Sequence, residues 1–521
     1  MYLFYMGFGF FLYFWYTYIF EYDNKMNIMK NVFLYGLCCI CLLPVMVVAQ
    51  NFNPIIPDCI ADPSVCKFGD TYYLYATADR DSGLDRAGTP AVWKSKDFVN
   101  WSFEGSLISG IDWAKAYPIK DEKGNMKEGY FRFWAPGKVI KKGSHYLLYV
   151  TFVKPNQHKG TYVLMADKPD GPFHFIEGDG LLVAGEKGLE TVPIAPDIDG
   201  EPFIDGNGKG FLFWRKRMAA RLTGDYLHLD GIPQEMKTHR NGYSEGPIMF
   251  KREGIYYYLY TLSANQNYVY AYMMSKKGPL SGFETPKGND IFLFSSIRNN
   301  VWGPGHGNVF YDKSSNKYIF VYLEYGDGGT TRQVYADKME FNKDGTIKTL
   351  IPNGKGVGYL GQNQEMKMNI SGQAHFSASS IHSPRTTTVK IETQPNAPLE
   401  NGASVEAVTR THNYYPKNVA DRSNGTCWHA AKNDKNPWLI ADMNEVKAID
   451  ECQFFFTQPT EGQSWCLEKS INGKVWKICG KQKILIARSP HIAKNIGKVR
   501  YLRLSIDSGD AGVWEWRIYQ K

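Results

Sequence analysis

One short pattern, returning along the chain, limits the fold more than any other feature. It reads IADPSVCKFGDTYYLYAT from Ile60, IDGEPFIDGNGKGFLFW from Ile198 and SEGPIMFKREGIYYYLYT from Ser244. Each copy sets an acid ahead of an apolar strand, then a turn, then an aromatic-rich second strand. Alternation of this kind continues in TYYLYAT (71–77), HYLLYVT (145–151), GFLFW (210–214), YYYLYT (256–261) and YIFVYLEY (318–325). A period of two with aromatic and β-branched residues specifies strands. The Gly, Asn and Asp clusters before each second strand suit hairpin turns. Five such units, longer than a usual propeller blade because of their loops, predict a five-bladed β-propeller over 50–360. A β-sandwich or a pair of small sheet domains is the competing reading.

After this region the texture changes. Residues 371–404 are rich in Ser, Thr and Pro, and the short strands that follow run to the C-terminus. The expectation is an all-β chain: the propeller, a linker at 361–367 and a β-sandwich of jellyroll type over 368–521. Trp438, Trp514 and Trp516 fall in apparent strands and read as core, and Trp428 stands at a strand end. With 521 residues, 43% hydrophobic and 15% aromatic, the chain has enough apolar surface for two or three domains. The net charge of +8 comes from basic residues mixed with acids rather than clustered, which argues against a nucleic-acid partner.

Residues 1–49 stand apart from the fold. Lys30, an apolar run and small residues at Val47 and Ala49 have the form of a secretory signal ending before Gln50. Residues 1–25 read either as a membrane segment or as sequence upstream of a true start at Met26 or Met29. A secreted or periplasmic location is expected. Six cysteines follow the signal, at 59, 66, 427, 452, 466 and 479, without a CxxC pair. Export permits disulfides, but no pairing follows from spacing, and neither a structural zinc site nor a redox motif is indicated.

Asp62, Asp199 and Glu245 occupy similar places in three repeats, and repeats around an axis bring them to one mouth. Two carboxylates flanking a glycosidic bond can divide the work. One stays ionised and activates water while the other stays protonated and donates to the leaving oxygen. A third nearby raises the donor's pKa by like-charge repulsion. Asp197 competes with Asp199, Asp58 lies close to Asp62, and Glu201 can supply a hydrogen bond beside the motif.

Residues 50–360 resemble the family-43 glycoside hydrolases, secreted five-bladed propellers acting on arabinose- and xylose-containing plant polysaccharides. The matching motifs are ADPSV around Asp62, IDGEPF around Asp199, SEGP around Glu245 and GPGHGNVF around His306. The resemblance implies Asp62 as general base, Asp199 as pKa modulator and Glu245 as general acid. It also implies inversion, with the acid and base in the wider spacing of roughly 6.5–9.5 Å. It makes His306 an axial residue that meets a calcium ion through water; the chemistry needs no cofactor, and any Ca2+ there or in the C-terminal domain is structural. Arg332 resembles an arginine that reaches the terminal sugar, although the residue alone reads as a surface strand position. Phe133 and Trp134 in FRFWAPGKVI are candidates for a stacking wall or for packed core. Gly137 stands where the family usually has Asp.

Residues 368–521 resemble a discoidin-like, factor 5/8 type C module, which implies a carbohydrate partner or a buttress for the propeller. The expected function is release of terminal α-L-arabinofuranosyl units. Alternatives are β-xylosidase, galactan-directed exo-glycosidase or endo-acting arabinanase/xylanase action on the same scaffold. A noncatalytic carbohydrate-binding propeller is a reading from a different class.

Overall fold

The computed structural model describes residues 51–80, 83–176, 192–262, 267–296, 299–325, 331–361, 368–389 and 408–521. The expected signal region and residues 362–367 of the expected linker lie outside the described residues.

The five repeats are five antiparallel sheets. Blade one opens with Ile60–Phe68 and Thr71–Arg80, and blade two is built on Arg132–Trp134, His145–Val153 and Lys159–Ala166. Blade three runs from Glu201–Ile204 through Gly210–Trp214 and Met218–Leu222 to Leu229–Glu235. Blade four comprises Ile248–Arg252, Ile255–Thr261, Tyr270–Ser275 and Ile291–Leu293. Blade five comprises Gly305–Asp312, Lys317–Tyr325 and Thr331–Met339.

The hydrophobic clusters show that the sheets form a ring. Tyr75 and Val92 of blade one pack with Phe133, Leu148 and Phe152 of blade two. Leu147 and Tyr149 of blade two meet Leu212 and Trp214 of blade three. Phe213 meets Tyr258 between blades three and four, and Tyr270 meets Phe320 between blades four and five. The ring closes where Val321 and Val334 of blade five pack with Leu74 and Trp93 of blade one. Alternate residues of each central strand serve opposite interfaces, which is why these strands are aromatic on both faces. The N-terminal segment latches the closure: Ile55 N–H donates to Val334 O at 2.9 Å, and Ala336 N–H donates to Asn53 Oδ1 at 2.9 Å.

The C-terminal sheet is dominated by two long strands, Trp438–Phe456 and His491–Ser508. Breaks in their pairing register between Asp442 and Lys447, and between Ile449 and Glu451, bend them around a core that includes Trp428, Phe454 and Trp516. Trp514 is also buried and Trp438 half-buried. This body touches the propeller beside blades one and five. Asn424 Nδ2 donates to Pro54 O at 3.0 Å, and Arg517 Nη1 donates to Asn100 Oδ1 at 3.1 Å. Cys66, Cys452, Cys466 and Cys479 are free thiols.

Candidate active site

The blades share one unusual backbone position at the start of the inner strand. Asp62, Ala135, Asp199, Gly246 and His306 have φ of 50°, 43°, 67°, 52° and 29°. Four of the five are not glycine, and each such residue carries backbone strain of about 1–3 kcal/mol, a cost met mainly at functional sites. The strand register breaks there in blade one, between Ala61 and Ser64, and in blade five, between Gly305 and Gly307. These kinks turn the side chains to the axis. Contacts across the axis follow: His306 Nδ1 of blade five lies 3.4 Å from Asp62 Oδ1 of the neighbouring blade one and 4.0 Å from Asp199 Oδ2 of blade three, which is not its neighbour. Glycine is required at 246, because a Cβ there would lie 2.9 Å from His306 Cγ and 3.1 Å from the Tyr270 hydroxyl.

Asp62 is 6% exposed and surrounded by donors. Thr77 Oγ1 donates to its Oδ2 at 2.7 Å, and Arg332 Nη1 reaches both oxygens at 3.2 and 3.3 Å. Burial pushes the carboxyl up, but Arg332, His306 and Thr77 together outweigh it and hold Asp62 below its ordinary value. Asp199 is the opposite case. Burial first, and then the Asp62 charge, push it up to about 7, against one N–H donated by Gly246 at 3.2 Å. Glu245 is also raised, by burial and then by Asp199, although the hydroxyls of Tyr243 and Tyr268 donate to its two oxygens. One carboxylate is thus biased toward the ionised form and two toward the protonated form.

Glu245 corrects one detail of the sequence reading. It stands one residue before the left-handed position that Asp62 and Asp199 occupy, so the three acids are near one another without being strictly equivalent.

Residues 52–347 match the model of glycosyl hydrolases family 43, more than half of the chain. The chain belongs to family 43. It is a hydrolase of glycosidic bonds, built on the propeller described above. Residues 403–518 match the F5/8 type C domain model. A solved structure described as a glycoside hydrolase is 36% identical, with a TM-score of 0.77, and the match covers 90% of this chain and 99% of that one. A β-D-galactofuranosidase, xynD, of Aspergillus niger is 28% identical over 318 residues, covering 57% of this chain and 83% of its own. A xylosidase/arabinosidase of Butyrivibrio fibrisolvens is 25% identical over 295 residues, covering 53% of this chain and 51% of its own.

The structure brings Asp62, Asp199, Glu245, His306 and Arg332 of this family 43 enzyme together, and it revises three expectations. Arg332 is 7% exposed, not a surface residue: Nε and Nη2 each donate to Asp79 at 2.8 Å, leaving Nη1 for Asp62. Phe133 is 1% exposed and packs at 6.5 Å from Trp113, so it presents no face to a sugar. Its neighbour Trp134 points the other way along the strand, is half-buried and carries the Arg132 guanidinium 4.4 Å from its ring. Gly137 is explained by close approach, since a Cβ there would fall 2.2 Å from Gly200 O. Glu201 Oε2 of blade three fills the adjacent space and accepts from Lys138 N at 2.9 Å.

Asp197 is excluded from the acid cluster because Arg215 Nε and Nη2 hold it at 2.7 and 3.0 Å. Asp58 is buried, caps Cys59 N–H at 2.7 Å and is pushed by burial to about 8. Among the described residues, no group of three or more His, Cys, Asp or Glu side chains is placed to hold a metal ion. With Nδ1 of His306 turned to Asp62 and its ring against Gly246, the donor set does not fit a directly ligated calcium.

Three threonines escaped notice in the sequence. Thr77 Oγ1 accepts from Ala135 N at 2.8 Å, Thr151 Oγ1 from Asp199 N at 2.8 Å and Thr261 Oγ1 from Glu245 N at 2.9 Å. Thr151 and Thr261 cap the turns that carry Asp199 and Glu245, while Thr77 caps the turn at Ala135 and donates to Asp62. The signal was the threonine ending the strings LYAT, LYVT and LYT.

Proposed function

We propose that this family 43 enzyme removes terminal α-L-arabinofuranosyl units from plant glycans with inversion of the anomeric centre. The observation that carries the reading is the opposed bias of three buried carboxylates at one axis: Asp62 lowered, Asp199 and Glu245 raised. Asp62, ionised, takes a proton from the attacking water. Glu245 gives a proton to the glycosidic oxygen as the C–O bond breaks. Asp199 opposes ionisation of Glu245 and holds the backbone at Gly246. Arg332 sets the charge state of Asp62, and Trp134, one residue before the left-handed turn, offers an aromatic wall at the mouth.

Action at chain ends is supported by the C-terminal body. Thr460 lies against Gly88, which itself packs on Ala78, and Gly425 lies against Gln333. These propeller residues adjoin Asp79 and Arg332, so the cleft has a neighbour on that side. A second reading, hydrolysis of β-D-galactofuranosides, is favoured by the likeness to the Aspergillus niger enzyme. The two sugars share their furanose-ring configuration and differ in the exocyclic arm. Purified enzyme assayed on aryl α-L-arabinofuranoside, β-D-galactofuranoside and β-D-xyloside separates these readings. The arabinofuranoside is expected to have the highest kcat/KM. Turnover of the xyloside alone would overturn the furanoside assignment, and turnover of none would overturn all three.

A further inference from the structure

Glu245 has both carboxylate oxygens claimed by phenols, Oε1 by Tyr268 and Oε2 by Tyr243. The two phenols differ in what they face. Tyr268 is 4% exposed, stacks at 6.4 Å on Tyr325, and is so closely packed that a Cβ on Gly305 would lie 2.4 Å from its Cγ. Tyr243 is 44% exposed and follows Gly242, whose φ is 114°. Oε1 therefore faces fixed protein, and Oε2 faces a residue at the surface of the mouth.

The direction of the Tyr243 proton is settled by its other neighbour. The Arg215 guanidinium beside Tyr243 only donates and can take no proton from the phenol, in keeping with the hydroxyl donating to Glu245 Oε2. The phenolic proton is left to point at Glu245. Arg215 cannot follow a moving tyrosine, since Asp197 holds it through two bonds at 2.7 and 3.0 Å. A hydroxyl donor on each oxygen favours the ionised form, so the two phenols pull Glu245 down against the burial and the Asp199 charge that raise it. A general acid needs a proton on the oxygen that meets the leaving group. In this arrangement that place is taken.

We propose that Tyr243 is a gate on the leaving-group side: its hydroxyl holds the place on Glu245 Oε2 that the glycosidic oxygen takes in the complex, and the arriving leaving group displaces it. Loss of that donor raises Glu245 further, so that with substrate in place it takes a proton from solvent, and keeps it, at a higher pH than in the free enzyme. Glu245 passes this proton to the leaving oxygen as the C–O bond breaks, while the attacking water bonds to the anomeric carbon and loses its proton to Asp62. Asp62 then returns that proton to solvent, and Tyr243 closes on the ionised Glu245. The gate rests on the reading of Glu245 as the acid.

The test is the basic limb of the pH profile, because kcat/KM reports the free enzyme and kcat the complex. The substrate is an oligosaccharide ending in the sugar whose aryl glycoside is turned over best, so that protonation of the leaving group limits the rate. In the wild type, the basic limb of kcat is expected about one pH unit above that of kcat/KM, the scale of one hydrogen bond to a charged group. In Tyr243→Phe the kcat/KM limb rises to meet the kcat limb, which stays where it was. Movement of both limbs together, or of neither, overturns the gate. Glu245→Gln separates this failure from failure of the acid assignment. If the basic limb survives in that variant, Glu245 is not the acid. If it disappears while Tyr243→Phe leaves both limbs unchanged, only the gate is lost.

Discussion

Arg332 carries the sharpest quantitative consequence of the site. Its Nη1 reaches Asp62 at 3.2 and 3.3 Å, while Asp79 fixes the rest of the guanidinium through two bonds at 2.8 Å. Burial alone raises Asp62, and Arg332 is the largest of the groups that oppose it. At an effective dielectric of about 20, unit charges this close interact by at most about 5 kcal/mol. Asp79 shares that charge, and His306 and Thr77 remain in Arg332→Met, so the expected rise of Asp62 is about 1–3 pH units. Each unit corresponds to about 1.4 kcal/mol.

The sign follows from the role proposed for Asp62. A general base works above its pKa, so activity is lost as pH falls through that value, and raising it moves the acid limb of kcat/KM upward. The assay is kcat/KM against pH on an aryl glycoside, whose good leaving group keeps Glu245 from limiting the rate. Arg332→Met also leaves Asp79 buried without its partner. The double variant Arg332→Met/Asp79→Asn removes that unpaired charge and should show the same rise. A folded double variant whose acid limb is unmoved, or falls, refutes the claim that Arg332 sets the charge state of Asp62.

Phe133→Ala should cost about 3–5 kcal/mol of stability as a cavity in the blade one–two interface, with KM unchanged in the folded fraction. Trp134→Ala should leave the melting temperature nearly unchanged and raise KM; thermal melts with Michaelis kinetics decide both. Asp199→Asn should stabilise the fold at pH 8 by on the order of 1–3 kcal/mol while slowing turnover. The sign follows from the raised folded pKa of Asp199, since stability is lost as pH climbs from the unfolded value of about 4 through about 7. Denaturant melts at pH 5 and pH 8 should show the gain mainly at the higher pH. Gly246→Ala, forced into a left-handed φ and against the His306 ring, should lose both stability and activity, measured by circular dichroism and turnover.

Much of this was legible because the chain repeats itself. Alternation with turn signals established five sheets, and the recurring acid pointed to one mouth. The offset of Glu245 by one residue was not legible, because it depends on which residue takes the left-handed φ. The same backbone detail decides that Trp134 rather than Phe133 faces outward: alternation shows that the two point apart, but not which face is the mouth. Arg332 looked like a surface residue because its partners Asp79 and Asp62 lie on blade one, at the far end of the propeller sequence, and only ring closure joins them. Gly137 looked like a missing acid. The space is taken by Gly200 O and the Glu201 carboxylate of the next blade, a substitution across strands that spacing within one motif cannot reveal.

The central claim is that Asp62 activates water on the face opposite a leaving group protonated by Glu245. Proton NMR of the sugar first released from an α-L-arabinofuranoside, recorded before mutarotation, tests it most directly. The account predicts that the β-anomer appears first and the α-anomer grows in by mutarotation alone. First release of the α-anomer would mean retention, and with it a covalent intermediate that this assignment of the acids does not allow.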